Sequence, residues 1–349
     1  MKLGIVIFAF NEEKSIGGVL DRIPTSIEGI DRIEAIVVDD GSTDRTRASA
    51  LERGAQVISH PENKGLGAAF ATGIDAALRA GADIIVSLDG DGQHPPEAIP
   101  RLTAPLLEGR ADFATATRFS DPALVPDMPL LNHFGNRLMA RVTGLASGRS
   151  FTDAACGFRA YSRDAALRTN IFGAHTYTQE SLLDLARRGM AMTEVPVAIR
   201  GVREHGKSRV AHNLLRYGVR ALTILAGAIR DRLPLAFFGG IGAVLAALGA
   251  GAELTVFVNF VLTGKTTPYQ SFTILGAIFL ILGAFSFLIA LLADMLGRMR
   301  ETQETVLYLE KRRYYDDLAR QHTRLDGEQQ VPVPRISPPR TRRSRQPCP

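Results

Sequence analysis

Two long apolar stretches divide this chain more sharply than any other feature in it. Residues 235–262 contain one charge, Glu253, and one amide, Asn259, and residues 271–293 contain no charge at all. As a helix the second stretch of 23 residues is roughly 35 Å long, enough to cross a hydrocarbon core. Only the short segment GKTTPYQ separates the two, so a membrane hairpin is expected. Arg230 and Arg232 precede the first stretch, Arg298 and Arg300 follow the second, and the connecting loop holds Lys265 alone. Positive charge flanking both outer ends places those ends in the cytoplasm and the loop outside. Counted from residue 235, Glu253 lies deep in the first stretch, where an ionised carboxylate is costly. Two readings stay open: it pairs across a subunit interface of a homo-oligomer, or the span ends near Ala252 and Glu253 sits among headgroups.

Before residue 230 the pattern is that of a water-facing α/β domain. LGIVIFAF, EAIVVDD, AQVISH, ADIIVSLD and ADFATAT are five strand candidates, and helical spacing fills 15–22, 44–53, 65–80 and 97–107 between them. This alternation predicts a mostly parallel sheet covered by helices on both faces. The N-terminal run LGIVIFAF is too short for a signal sequence and flows into NEE. Two cysteines, Cys156 and Cys348, imply no disulfide framework and suit a reducing compartment. The expected organisation is an α/β domain over 1–210 and an amphipathic interfacial helix over 211–232. A hairpin over 233–297, a charged helix over 298–320 and a disordered basic tail over 321–349 follow. In the amphipathic segment Leu214, Leu215, Leu222, Leu225 and Ile229 share one face, which would lie on a membrane or pack on the domain. The net charge of +5 owes much to the tail, whose residues 322–349 hold six arginines against two acidic residues. Such a tail suits anionic headgroups, and no aromatic pattern supports a nucleic-acid partner.

In open parallel sheets ligands bind beyond the carboxyl ends of the strands, and the polar signals fall there. Asn11 and Glu12 follow the first strand, Asp39, Asp40, Gly41 and Ser42 the second, and Asp89, Gly90 and Asp91 the fourth. Two carboxylates separated by a glycine at a strand end suit a hard divalent cation, Mg²⁺ or Mn²⁺, shared with substrate phosphates. Gln93 offers a further oxygen. The same residues could instead open a helix ahead of Pro95 and Pro96. Asp44 is explained by capping, whereas Asp39 and Asp40 suit the N–H and hydroxyl groups of a nucleoside.

FAFNEE, VVDDGSTD, NKGLGAA and LDGDGQHPPE, in this order and spacing, resemble the family-2 glycosyltransferases of GT-A fold. DAACGFRAYSR, QESLLDLARRG and VPVAIRGVREHGKSR resemble its polyprenyl-phosphate branch, which includes dolichol-phosphate mannose synthases. The resemblance covers about residues 1–230. It implies that Phe8, Phe10, Glu12, Val37, Asp39 and Asp40 contact the donor nucleoside, with Phe8 standing where proline is usual. It implies that Asp89, Gly90, Asp91 and Gln93 hold the metal and diphosphate. Arg118, Arg203 and Lys207 would neutralise the donor phosphates. Arg118, Arg159, Asp153 and Arg209 would lie about the acceptor phosphate. The implied partners are a nucleotide-diphosphate sugar, GDP-mannose or UDP-glucose, and a dolichyl or undecaprenyl phosphate.

The chemistry follows from charge. A lipid monophosphate is largely dianionic at neutral pH and attacks the anomeric carbon without losing a proton. Direct displacement by it inverts that carbon, and Asp153, at the position of a base in hydroxyl-accepting relatives, would orient Arg159 or the sugar. Transfer to a lipid hydroxyl such as diacylglycerol would need Asp153 as a working base, and a silent nucleotide-binding scaffold would turn nothing over. Processive polysaccharide synthases carry a QxxRW motif, and this chain has no tryptophan.

Overall fold

The computed structural model describes residues 1–126, 128, 130–170, 177–201, 223, 227 and 234–329. Seven strands form one sheet in the order β3-β2-β1-β4-β6-β5-β7. They are β1 (Lys2–Ala9), β2 (Arg32–Asp39), β3 (Gln56–Ser59), β4 (Ile84–Asp89), β5 (Phe113–Thr117), β6 (Arg159–Ser162) and β7 (Met192–Pro196). All neighbours pair in parallel except β6, which runs antiparallel between β4 and β5. The five expected strands are present; β6 and β7 were not expected. β1 is buried on both faces, which is why it reads as an unbroken apolar run. Its side chains alternate: Val6 and Phe8 enter one core, Ile5 and Ile7 the other.

Helices α1 (Ile16–Asp21), α2 (Thr46–Leu51) and α4 (Ile99–Leu107) follow the strands as expected. So does α3 (Leu66–Arg79), which packs on β1 and β2. It can do so because residue 73 is glycine: a Cβ there would come within 2.2 Å of Val6 Cγ1. Gly73→Ala is therefore expected to cost about 1–3 kcal/mol by forcing helix and strand apart. An unchanged denaturant midpoint would show that they separate freely. Beyond β5 come α5 (Leu130–Ser147), α6 (Arg163–Arg168) and α7 (Thr178–Arg187), where the sequence shows only mixed loops and helices.

Two further helices, α8 (Pro234–Thr263) and α9 (Gln270–Gln329), are long and apolar enough to cross a membrane. They pair where small residues let the backbones approach, Gly242 against the Gly283 carbonyl and Gly249 against that of Gly276. Ser286 Oγ donates to the Phe238 carbonyl at 2.7 Å. Glu253 faces into this hairpin, where a Cβ on Gly276 would lie 2.8 Å from its Oε1.

The second apolar stretch and the charged stretch after it form one continuous helix, α9, which runs to Gln329. Its charged half docks on the sheet domain. Tyr308 donates to Asp164 and Tyr315 to Asp75, and both rings join the core beside α3. Glu304 takes Arg187 at 3.2 Å and Arg188 at 3.0 Å, Asp316 takes Arg163 at 3.1 Å, and Lys311 donates to Asn170 at 2.7 Å. Burial raises the Asp164 pKa, but Tyr308 and Arg168 outweigh it and hold the carboxyl below its usual range. Burial also raises Glu304, and Arg300, Arg187 and Arg188 bring it below its usual value. Depressed carboxylates add stability that is complete above their unfolded-state pKa and lost as pH falls through the folded-state one. The docking should thus hold at neutral pH and loosen below about pH 4. Tyrosine near-UV ellipticity, in a chain without tryptophan, should fall between about pH 5 and pH 3.

Candidate active site

β1, β2 and β4 lie side by side and end at one edge, where Ala9 is level with Asp39 and Phe8 with Asp89. The loops after β1 and β2 are laced together. Asn11 N donates to Ser42 Oγ at 2.9 Å, Glu12 N to Thr46 Oγ1 at 2.8 Å, and Asn11 Oδ1 accepts Thr43 N at 2.8 Å. Asn11 takes a positive φ of 55° to make this turn. Asp39 accepts Ser42 N and Ser59 Oγ, each at 3.0 Å. Gly41, at φ +76°, passes so close to the Glu62–Asn63 backbone that a Cβ would lie 2.5 Å from the Glu62 carbonyl carbon. Any side chain there would push the 60–65 loop off the crevice.

In the loop after β4, Asp91 is almost fully buried and accepts Gln93 N at 3.0 Å. The Asp89 side chain is 34% exposed. His94, not anticipated from the sequence, lies beneath: its Nδ1 accepts Asp89 N at 3.1 Å and its ring stacks on Phe158. Among the described residues no three acidic, histidine or cysteine side chains gather into a cage. Two carboxylates completed by phosphate oxygens are the set a hard divalent cation commonly takes, so Asp89 and Asp91 fit a cation shared with a diphosphate. Gln93 also links two loops. Its Nε2 donates to the Arg200 carbonyl at 3.0 Å and its carbonyl accepts Arg200 N at 3.2 Å. It ties the acidic loop to the start of the basic segment 200–209.

The loop 152–158 closes the other side. Arg118, after β5, grips Asp153 with Nε at 2.6 Å and Nη2 at 2.9 Å. Asp153 is fully buried and also accepts Ala155 N and Cys156 N. Glu194 of β7 holds this loop by accepting Thr152 N and Asp153 N at 3.0 Å, and burial raises its pKa. The Gly157 carbonyl accepts Ser87 Oγ and Tyr177 Oη at 3.0 Å, which brings the loop against Asp89. The polar ends of β1, β2 and β4 and the loop held by Arg118 after β5 thus lie along one edge of the sheet.

Residues 4–168 match the model of the family described as Glycosyl transferase family 2. The chain is 32% identical over 213 residues to the UDP-N-acetylglucosamine–dolichyl-phosphate N-acetylglucosaminyltransferase of Methanococcus voltae, covering 55% of this chain and 83% of that protein. The chain belongs to glycosyl transferase family 2. A further relative is the undecaprenyl-phosphate 4-deoxy-4-formamido-L-arabinose transferase of Proteus mirabilis, 29% identical over 85% of this chain and 89% of that protein. The polyprenol monophosphomannose synthase of Mycolicibacterium smegmatis is 27% identical over 66% and 89% respectively.

Not every residue that the resemblance assigned to this glycosyltransferase's substrates reaches the crevice. Phe8 packs in the core against Phe70 and Tyr177, and Val37 is fully buried in the opposite core. Phe10 and Glu12 lie past the strand end and are partly exposed. Asp40 is used on the chain itself: it accepts His60 Nδ1 at 2.7 Å and Lys64 N and Gly65 N at 2.9 Å, fixing the start of α3. Arg159 is fully buried, donating to the carbonyls of Ala154, Cys156 and Thr178 and to Ser181 Oγ. That guanidinium staples the 153–158 loop to α7 and cannot reach a phosphate. Arg203, Lys207, Arg209 and, apart from Thr223 and Gly227, the expected 211–232 helix lie outside the described residues. Cys156 is buried and its thiol is pushed up to about 12, chiefly by burial. Iodoacetamide should leave Cys156 unmodified in the native glycosyltransferase and label it only after unfolding, as read by peptide mapping.

Proposed function

We propose that this enzyme moves one hexose from a nucleotide diphosphate to a polyprenyl phosphate at the cytoplasmic face of a membrane spanned by α8 and α9. One observation carries the choice of acceptor: both Asp153 oxygens are engaged by Arg118 and by backbone N–H groups inside the protein. A hydroxyl acceptor such as diacylglycerol needs a base to take its proton. A lipid phosphate, already largely dianionic, needs none. The relatives named for dolichyl, undecaprenyl and polyprenol phosphates support the same acceptor.

In this reading Asp39 and the laced loops after β1 and β2 orient the nucleoside, and Asp89 and Asp91 hold a Mg²⁺ or Mn²⁺ with the donor diphosphate. When bound, that cation would stabilise the negative charge developing on the leaving nucleotide. Arg118, held in plane by Asp153, presents its guanidinium beside the acceptor. Gln93 keeps Arg200, where the basic segment begins, beside the acidic loop. The acceptor oxygen attacks the anomeric carbon as the diphosphate leaves, and the configuration inverts.

The test is transfer from radiolabelled GDP-mannose and UDP-glucose, offered separately, to a polyprenyl phosphate in the presence of Mg²⁺. Label in a lipid-phosphate product, lost with EDTA, supports the proposal and names the sugar. Label in a diacylglycerol product instead would sink it, and nucleotide binding without any transfer would favour a silent scaffold.

A further inference from the structure

The contacts of α9 run from the β7 side of the sheet toward β1, with Asp316 reaching back to Arg163 at the start of α6. Moving away from the apolar stretch, Glu304 meets Arg187 and Arg188 at the end of α7, which leads into β7. Tyr308 then meets Asp164 and Arg168 of α6, which follows β6. Tyr315 reaches Asp75 of α3, packed on β1 and β2. From Glu304 to Tyr315 the helix rises roughly 16 Å. From β7 to β1, four places along the sheet, is roughly 19 Å at the usual strand spacing. The match means that α9 crosses the strands at a steep angle. The chain passes from β7 through Val197, bonded to Thr117, and Arg200, bonded to Gln93, and re-enters at Pro234. That residue opens the helix whose Gly242 is paired with Gly283 of α9. The last described contacts before the hairpin are thus with Thr117 at the end of β5 and with Gln93 after β4.

We infer that α9 is a strut that turns the β5–β7 side of the crevice to the membrane and fixes its height. This rests on the membrane reading proposed above. Arg118 and Asp153 belong to this near side of the sheet, at the carboxyl ends of the strands, while Arg187, Arg188 and Asp164, which hold α9, lie toward the opposite ends of the same strands. Asp39 and the nucleoside loops belong to the β1–β2 side, whose covering helix α3 meets α9 at Tyr315, farther from the apolar stretch and open to a soluble donor. Glu304, Tyr308 and Tyr315 are positioning residues: they touch no substrate and set where the phosphate-facing loop meets the lipid headgroups.

Orientation is read without activity. In a Cys348→Ser background, a dye is placed at exposed Asp121→Cys, after β5, or at exposed Glu62→Cys, after β3. The full chain is then reconstituted into vesicles carrying acceptor dye on their headgroups. The Asp121 label should transfer energy at least twofold more efficiently than the Glu62 label. Equal or reversed transfer in protein that floats with the vesicles overturns the strut alone, whereas protein that does not float overturns the membrane reading and the strut with it. Height is read by a seven-residue helical insertion after Arg300, which keeps the docking face in phase and lifts the domain by roughly 10 Å. Transfer to long-chain polyprenyl phosphate in vesicles should fall at least tenfold, while transfer to a short-chain, water-dispersed prenyl phosphate stays within twofold. Equal rates on both acceptors would overturn the height role, and loss on both with orientation intact would count against the acceptor assignment.

Discussion

Asp91→Ala is expected to lower sugar transfer by about a hundredfold or more, the size of effect seen when one electrostatic stabiliser of a transition state is removed. The residue is 3% exposed and accepts Gln93 N, so alanine also removes one hydrogen bond, about 1 kcal/mol of stability. Asp91→Asn separates the two effects. It retains an acceptor for Gln93 N and removes only the charge, so its unfolding midpoint should match the wild type while its transfer rate falls with that of alanine. An Asn variant with near-normal turnover in Mg²⁺ would show that the charge at this position is not needed.

The second large effect is on folding. Asp153→Ala should destabilise the protein by about 3–5 kcal/mol, because it strands the Arg118 guanidinium and two backbone N–H groups in a buried loop. Asp153→Asn keeps the shape and isolates the chemistry. If Asp153 removed a proton from the acceptor, both variants would lose about 10²–10⁴ in turnover per folded molecule. The phosphate-acceptor reading expects the Asn variant to stay within about tenfold of wild type, the loss coming from a less well held Arg118. Initial rates normalised to folded protein, measured across pH, decide between the two.

The first half of the sheet was legible because parallel strands buried on both faces are written as unbroken apolar runs, and three of its strands end in polar turn signals. β6 was not, because it opens with Arg159, a charge that sequence pattern assigns to the surface and the fold places in the core. β7 was hidden by Glu194, whose carboxylate serves the loop beside it. The same limit governs the site. The acidic ends of β2 and β4 could be placed on one edge from order alone, but the sequence does not show which carboxylates are occupied by the chain itself. Asp39 and Asp40 are adjacent and chemically alike, and both prove buried and hydrogen-bonded by the chain, Asp39 by Ser42 and Ser59 and Asp40 by His60 and the start of α3. Phe8 and Phe10 are two residues apart on the first strand candidate; the strand ends at Ala9, so one is core and the other stands beyond it. The charged stretch of α9 reads as helical, but its docking depends on partners more than a hundred residues away.

That docking has a consequence for how the protein is made. Tyr308 and Tyr315 complete a core whose other members begin at Val6. A ribosome delivers them only after both apolar helices have emerged, so on the polarity proposed here the domain waits with Asp75, Asp164 and one apolar face exposed until the hairpin has entered the membrane and the chain has returned. Maturation of the catalytic fold is then coupled to insertion, and chains whose hairpin fails to insert would present an unfinished surface to chaperones and proteases.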